Sequence, residues 1–257
     1  MKTAAQRILI TGAASGLGRG LALYFAERGH PLVLLDRNGD GLRETLELLD
    51  TAAEQASPHA VDVTSFAEIR AFIESLGDRT IDVLVNNAGL QHVARVEDFP
   101  EDRWDVLLDV MLKGSFLLTQ AVVPKMRAAN FGRIVNIGSI HSLIASPFKS
   151  AYVAAKHGLL GFAKTIALET ADADITINTI CPSYVRTPLV DAQIAAQAKT
   201  HGISEAEVID RIMLEPMPKK RFVTIEEIAG TIEFLMSPAA RNITGQTIVI
   251  DGGWTAR

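Results

Sequence analysis

Seven short runs of apolar, β-branched residues, separated by longer stretches with helical spacing, leave this chain few ways to fold. The runs are RILIT (7–11), PLVLLD (31–36), HAVDV (59–63), IDVLVN (81–86), GRIVNIGS (132–139), ITINTICP (175–182) and QTIVIDGG (246–253). They are too continuously apolar for a sheet with one wet face, so both faces should be covered. GLGRGLALYFAERG and TSFAEIRAFIESLG, between them, carry helical spacing. Strand–helix alternation of this kind means βαβ units and a parallel sheet. Right-handed crossovers then wind helices onto both faces. The expected fold is α/β: a doubly wound parallel sheet of about seven strands.

No repeat, low-complexity tract or Pro/Gly-rich linker divides the 257 residues, so residues 1–257 read as one domain. An insertion at about 188–218 is helical in composition (DAQIAAQAKT, SEAEVIDRI). It reads as a small lid, or as an extra surface helix pair. The formal net charge is -5 without a basic run, a poor match to nucleic acid or an anionic membrane. With Cys181 as the one cysteine, no intrachain disulfide can form. The first apolar run is too short for a signal sequence or a membrane span, and a cytoplasmic protein is expected.

TGAASGLG follows the first run and opens the first long helix, with Gly12, Gly16 and Gly18 beside Ser15 and Leu17. Glycine at a strand–helix turn permits positive φ and a close backbone approach to a ligand. The helix N-terminus offers free N–H groups to a pyrophosphate. The spacing G-x-x-x-G-x-G also suits a purely structural turn. Asp36 ends the second run, where a carboxylate accepts adenosine ribose hydroxyls and repels a 2′-phosphate. The adjacent Arg37 is the residue that would hold such a phosphate instead. Asp62, next to Val63, is a candidate for the adenine amino group. Asn86, Asn87, Ala88 and Gly89 end the fourth run, at the edge where such sheets bind ligands. The implied cofactor is NAD; no metal is called for.

Tyr152 and Lys156 stand four apart at a helix start and share one face. A tyrosine ordinarily titrates near 10, and nearby cations favour the phenolate. The phenol then becomes usable as an acid/base. Ser139 closes the fifth run, thirteen positions earlier, with a hydroxyl for the substrate oxygen.

Together TGAASGLG, NNAG, Ser139, Tyr152-x-x-x-Lys156 and CPSYVRTP resemble the short-chain dehydrogenase/reductase family, a Rossmann-fold family, over the whole chain. The resemblance implies Tyr152 as acid/base, Ser139 as oxygen anchor and Lys156 on the nicotinamide ribose. It sets Pro182, Val185 and Thr187 against the nicotinamide, Thr187 at the carboxamide. It also implies a homotetramer. Two positions depart from the family pattern. Met111 stands where the family has an asparagine that supports a proton relay, and a thioether cannot hydrogen-bond in that way. Ser183 replaces the glycine of the usual Pro-Gly pair.

NNAGLQHVARVEDFP, SIHSLIASPFKSAYVAAKHG and TPLVDAQI resemble the D-3-hydroxybutyrate dehydrogenases within that family. The resemblance implies Gln91, His141, Lys149 and Gln193 as ligands of a small carboxylate, with Tyr184 and Trp254 shaping the methyl-side pocket. It implies NAD-dependent oxidation of a short 3-hydroxy acid. The alternatives are an NADPH-dependent 3-oxoacyl thioester reductase and a non-catalytic NAD-binding scaffold, for which Met111 is the hint.

Overall fold

The computed structural model describes residues 5–256. Seven strands form one parallel sheet: β1 (Ile8–Thr11), β2 (Leu32–Asp36), β3 (Ala56–Ala60), β4 (Val83–Asn86), β5 (Gly132–Ile137), β6 (Ile175–Pro182) and β7 (Thr247–Ile250). Their spatial order is β3-β2-β1-β4-β5-β6-β7. The chain reverses direction across the sheet between β1 and β4, and a crevice opens at such a switch point.

Helices cover both faces. On one side lie α1 (Gly16–Ala26), α2 (Gly39–Leu49) and α9 (Ile225–Met236). On the other lie α3 (Phe66–Ser75), α5 (Gly114–Ala129) and α6 (Ser150–Glu169). Successive strand residues point to opposite faces. Ile8 and Ile10 therefore pack with Leu21, Phe25 and Ile232, while Leu9 packs with Phe72, Leu118 and Ala163. That is why the runs read as unbroken apolar sequence. Burying each such Leu or Ile is worth roughly 1.5–3 kcal/mol. Asn38 caps α2 and Ser65 caps α3 through their side-chain oxygens. Thr224 and Glu227 form a reciprocal cap on α9.

The third strand differs from the sequence expectation. It lies at Ala56–Ala60 rather than at 59–63. β3 is an edge strand paired only with β2, so half-exposed Ser57 and His59 and exposed Pro58 suffice there. An edge strand also tolerates Pro58, which has no N–H to donate. Val61 and Val63, the apolar residues that suggested a strand, bury themselves in the core just beyond its end.

A continuous helical run, Glu101–Ala129, joins α4 (Glu101–Leu108) to α5 through a π-helical turn at Asp109–Lys113. By length and composition it could cross a membrane. Its Leu107, Met111, Leu118, Val122 and Met126 are buried against the rest of the protein. The insertion forms α7 (Pro188–His201), α8 (Glu205–Val208) and a second π-helical turn (Ile209–Met213). These pack on one another through Val190, Ile194, Val208 and Met213, a small core separate from the sheet.

Candidate active site

A cavity of about 330 Å³ opens at the carboxyl edge of β1, β4, β5 and β6, between the α1 turn and α7. Gly12, Ser15, Gly16 and Leu17 form one end of its lining. Gly12 (φ +67°) and Gly16 (φ +53°) adopt the left-handed conformation that glycine permits. Gly18 stands behind them, and a Cβ there would lie 2.1 Å from the Gly12 carbonyl oxygen. Crowding at Gly12 and Gly18, and the positive φ of Gly12 and Gly16, thus call for glycine at these three places where α1 begins at the end of the cavity. Thr11 Oγ1 accepts from the N–H groups of Asn87 and Ala88, both at 2.9 Å, and ties this turn to the NNAG loop. Asp36, half-buried, lines the same end. Its Oδ2 accepts from Ala14 N at 3.1 Å and its Oδ1 from Asn38 N at 2.9 Å, which aims the carboxylate. Arg37 is exposed and not part of the lining. A turn with glycine at its three tightest places, and a fixed carboxylate beside it, fits the pyrophosphate and ribose of a dinucleotide.

Four further expected nucleotide contacts sit off this lining. Asp62 Oδ1 accepts from both the backbone N–H and the hydroxyl of Thr64, at 2.8 Å each, and serves the turn before α3. Val63 is buried next to Gly114. Asn86 turns its side chain into the sheet, donating to Asn136 Oδ1 at 2.9 Å and to Thr119 at 3.4 Å. Ala88 packs into the core, whereas Asn87 and Gly89 reach the cavity.

Ser139, Tyr152 and Lys156 meet in the middle of the cavity. Lys156, on α6, is buried and donates to the Ile137 carbonyl at 2.6 Å. Burial lowers its ammonium to about 8. Its Nζ is 5.7 Å from the centre of the Tyr152 ring. Burial pushes the Tyr152 phenol above its ordinary value, opposed by a hydrogen bond from Ser139. The sequence led us to expect a lowered phenol. Among the protein's own groups desolvation of the phenolate has the largest effect, and the Lys156 ammonium rests on the Ile137 carbonyl; the nicotinamide cation that the expectation also invoked would act in the opposite sense.

Gln91, His141, Lys149 and Gln193 all line the other end of the cavity. Lys149 is half-buried, and burial depresses its ammonium. That ammonium has no hydrogen-bond or ion-pair partner among the described residues. The acidic member of the lining, Asp36, ends β2, three strand spacings from β5, or roughly 14 Å. Gln91 Oε1 is buried with no partner among the described residues. His141 is held neutral: burial, Lys149 and His157 lower it to about 4. Its ring stands edge-on to Tyr152 at 6.0 Å and to Trp254 at 6.5 Å. Tyr184 lines the cavity; Trp254 lies behind, 6.0 Å from Tyr184, and supports both rings. Pro182, Val185 and Thr187 line the cavity where α7 begins. Thr187 Oγ1 caps α7, and its methyl side stands next to Gly16, so the start of α7 meets the phosphate turn.

Both departures from the family pattern are accommodated. Ser183 keeps φ outside the left-handed region, so glycine is not required there. Met111 is buried in the π-helical turn against Leu107, Ala151 and Ala155, with Tyr152 at the edge of that cluster. Its carbonyl accepts from Ser115 Oγ at 2.8 Å. Several residues that organise the site were not singled out in the sequence. Ser142 Oγ accepts from Ser139 N at 3.2 Å, Cys181 lies beside Ser142, and Ser146 contacts His141. Isolated serines in a loop carry no periodic signal.

The family profile described as enoyl-(acyl carrier protein) reductase matches residues 12–255. The D-beta-hydroxybutyrate dehydrogenase of Rhizobium meliloti (strain 1021) is 44% identical over 97% of this chain and 98% of that protein. The enzyme of the same name from Cupriavidus necator is 41% identical, with 97% of each chain covered. A 3-oxoacyl-[acyl-carrier-protein] reductase from Thermotoga maritima is 36% identical over 95% of this chain and 96% of its own. A crystal structure from Sinorhizobium meliloti 1021, provisionally described as a short-chain alcohol dehydrogenase, superposes with a TM-score of 0.85. It is 37% identical, covering 99% of this chain and 98% of that one. With that coverage by profile, sequence and structure, the chain belongs to the short-chain dehydrogenase/reductase family of nicotinamide-dependent oxidoreductases.

Proposed function

We propose that the protein interconverts D-3-hydroxybutyrate and acetoacetate with NAD. The observation that carries this reading is Lys149, a half-buried ammonium without a partner among the described residues, on the same cavity as Ser139 and Tyr152. A partly desolvated cation without an anion is costly, and an anionic ligand in the cavity would supply that partner. Lys149 and His141, with the amides of Gln91 and Gln193, would grip the carboxylate. The relatives named D-beta-hydroxybutyrate dehydrogenase support the same substrate.

In the oxidation, Ser139 donates a hydrogen bond to the substrate oxygen while the Tyr152 phenolate takes the hydroxyl proton. Bound NAD supplies the hydride acceptor for C3, and its positive ring favours the phenolate. Lys156 would hold the nicotinamide ribose and Thr187 the carboxamide. Gly12, Ser15, Gly16, Leu17 and Gly89 would surround the pyrophosphate and adjoining ribose, with Gly18 shaping the turn from behind. Asp36 would take the adenosine ribose hydroxyls and exclude a 2′-phosphate, which favours NAD over NADP. Asp62 and Val63 would reach the adenine through the free carboxylate oxygen and the backbone. Asn86 and Ala88 would contribute backbone atoms. Tyr184, backed by Trp254, would confine the methyl end. We place the protein in the cytoplasm as a homotetramer of one-domain subunits with α7 and α8 as lid. Exposed Phe116 on α5 and Leu168 on α6 support the assembly.

A second reading, reduction of 3-oxoacyl thioesters with NADPH, draws on the Thermotoga relative. Asp36 and the Lys149 ammonium speak against it. Incubating the protein with D-3-hydroxybutyrate and NAD and identifying the product by NMR tests the proposal. Acetoacetate is expected; turnover confined to thioesters with NADPH would overturn it.

A further inference from the structure

Arg19 follows Gly18 in the first turn of α1. It does not line the cavity, yet its side chain is only 24% exposed. Its Nε donates to Thr45 Oγ1 at 3.0 Å. Its Nη2 reaches the Ala14 carbonyl, the Gly41 carbonyl at 3.2 Å and the Glu44 carboxylate at 2.8 Å. Ala14 belongs to the phosphate turn, whereas Gly41, Glu44 and Thr45 belong to α2. Thr45 Oγ1 adds a second tie, 2.9 Å from the carbonyls of both Ala13 and Gly41. One planar guanidinium therefore fastens the phosphate turn to α2, a task that its rigid fork of donors suits.

Between the two joined pieces lies the Asp36 carboxylate. Its Oδ2 accepts from Ala14 N, and its Oδ1 from the N–H of Asn38, the cap of α2. Ala14 is thus held through both its backbone groups, the N–H by Asp36 and the carbonyl by Arg19. The packing here is close as well. A Cβ on Gly41 would stand 2.8 Å from the Ala14 Cβ and 3.0 Å from its carbonyl oxygen. Glycine at 41 lets α2 approach Ala14 without that collision.

We propose that Arg19 is a positioning residue for cofactor choice: by clamping Ala14 to α2 it fixes where the Asp36 carboxylate meets the adenosine ribose. Hydrogen bonds weaken steeply with distance and angle, so a carboxylate that drifts loses the ribose hydroxyls by which it tells the two cofactors apart. Arg19 acts at one remove, since it reaches Asp36 only through Ala14. The inference rests on the ribose role given to Asp36 above and is independent of the substrate.

The charge of Arg19 offers a competing account, since a cation near the phosphate turn would attract a pyrophosphate from a distance. Glu44 against the guanidinium, and the place of Arg19 outside the cavity lining, favour the clamp. Two substitutions separate the accounts. Arg19→Ala removes both the clamp and the charge. Gly41→Ala leaves every charge in place and pushes Ala14 from the α2 side.

Calorimetric titration with ADP-ribose and with its 2′-phosphorylated form reads the effect without turnover, because neither ligand carries the nicotinamide. The parent should prefer ADP-ribose. In Arg19→Ala the affinity for ADP-ribose should fall about tenfold, the scale of one charge-assisted hydrogen bond, and the preference should narrow by a similar factor. Gly41→Ala should narrow the preference in the same sense. A loss of fold stability alone would leave that ratio where it was. An unmoved preference in Arg19→Ala would overturn the proposal. A narrowed preference in Arg19→Ala with none in Gly41→Ala would overturn it equally, and assign the effect to charge. A parent protein that bound both forms alike would instead remove the ribose role of Asp36, and the clamp's purpose with it.

Discussion

Lys149→Ala should separate recognition of the acid from the chemistry. The side chain is half-buried, lines the cavity, and has no partner among the described residues. A carboxylate about 3 Å away would be attracted by about 5 kcal/mol at an effective dielectric of about 20, an upper bound before either ion is desolvated. Charge-assisted hydrogen bonds measured by mutation keep about 1.5–3 kcal/mol of such an attraction. That corresponds to a loss of about 10- to 150-fold in kcat/KM for D-3-hydroxybutyrate. Part of the loss should fall on kcat, since holding the remote carboxylate also orients C3. NAD binding should be unchanged, because Asp36 and the phosphate turn lie at the other end of the cavity. A neutral secondary alcohol of similar size should lose little. The assay is initial-rate formation of reduced nicotinamide with both substrates in parent and variant. Equal losses on both would show that Lys149 supports the start of α6 and not the substrate.

Four further outcomes are expected. Tyr152→Phe keeps the ring but not the proton, so turnover should drop by about 10²–10⁴-fold while calorimetry still detects NAD binding. Asp36→Ala should narrow the preference for NAD over NADP in kcat/KM; a parent protein indifferent to the two would refute the role given to that carboxylate. Met111→Asn should change kcat only modestly, because Met111 fills a packed cluster beside Tyr152; a large gain would mean that proton transfer is handicapped as the chain stands. His141 is held to about 4 in the fold against an ordinary 6.5, so the unfolded chain binds its proton first as pH falls. The fold should then lose roughly 2–3 kcal/mol between pH 6.5 and 4, and chemical denaturation of His141→Gln should show a flatter dependence over that window.

The sheet was legible because it is covered on both faces, which makes β1, β2 and β4 nearly continuous apolar runs and leaves β5 and β6 rich in buried Ile and Val. β3 was misplaced for the complementary reason: an edge strand makes few demands on its residues, and the apolar signal belonged to Val61 and Val63 just beyond it. Gly12, Gly16, Ser139, Tyr152 and Lys156 were readable because each sits at a strand end or helix start, where residue type is tied to backbone geometry. Sequence position alone does not give side-chain direction. Asn86 and Val63 occupy the expected places yet turn into the sheet and the core. Nor does residue spacing reveal partners such as Ser142, Ser146 and Cys181, which meet the site only through loops. The raised Tyr152 phenol depends on desolvation, a property of the packed structure.

The most direct test of the account is kcat/KM measured side by side for D-3-hydroxybutyrate, L-3-hydroxybutyrate and a 3-oxoacyl thioester. Each is assayed in its reactive direction, with the NAD and the NADP form of the cofactor. The D-acid with NAD should exceed every other combination by at least about tenfold, the scale of one charge-assisted contact. A thioester turned over best with NADPH would contradict both the carboxylate site at Lys149 and the ribose site at Asp36.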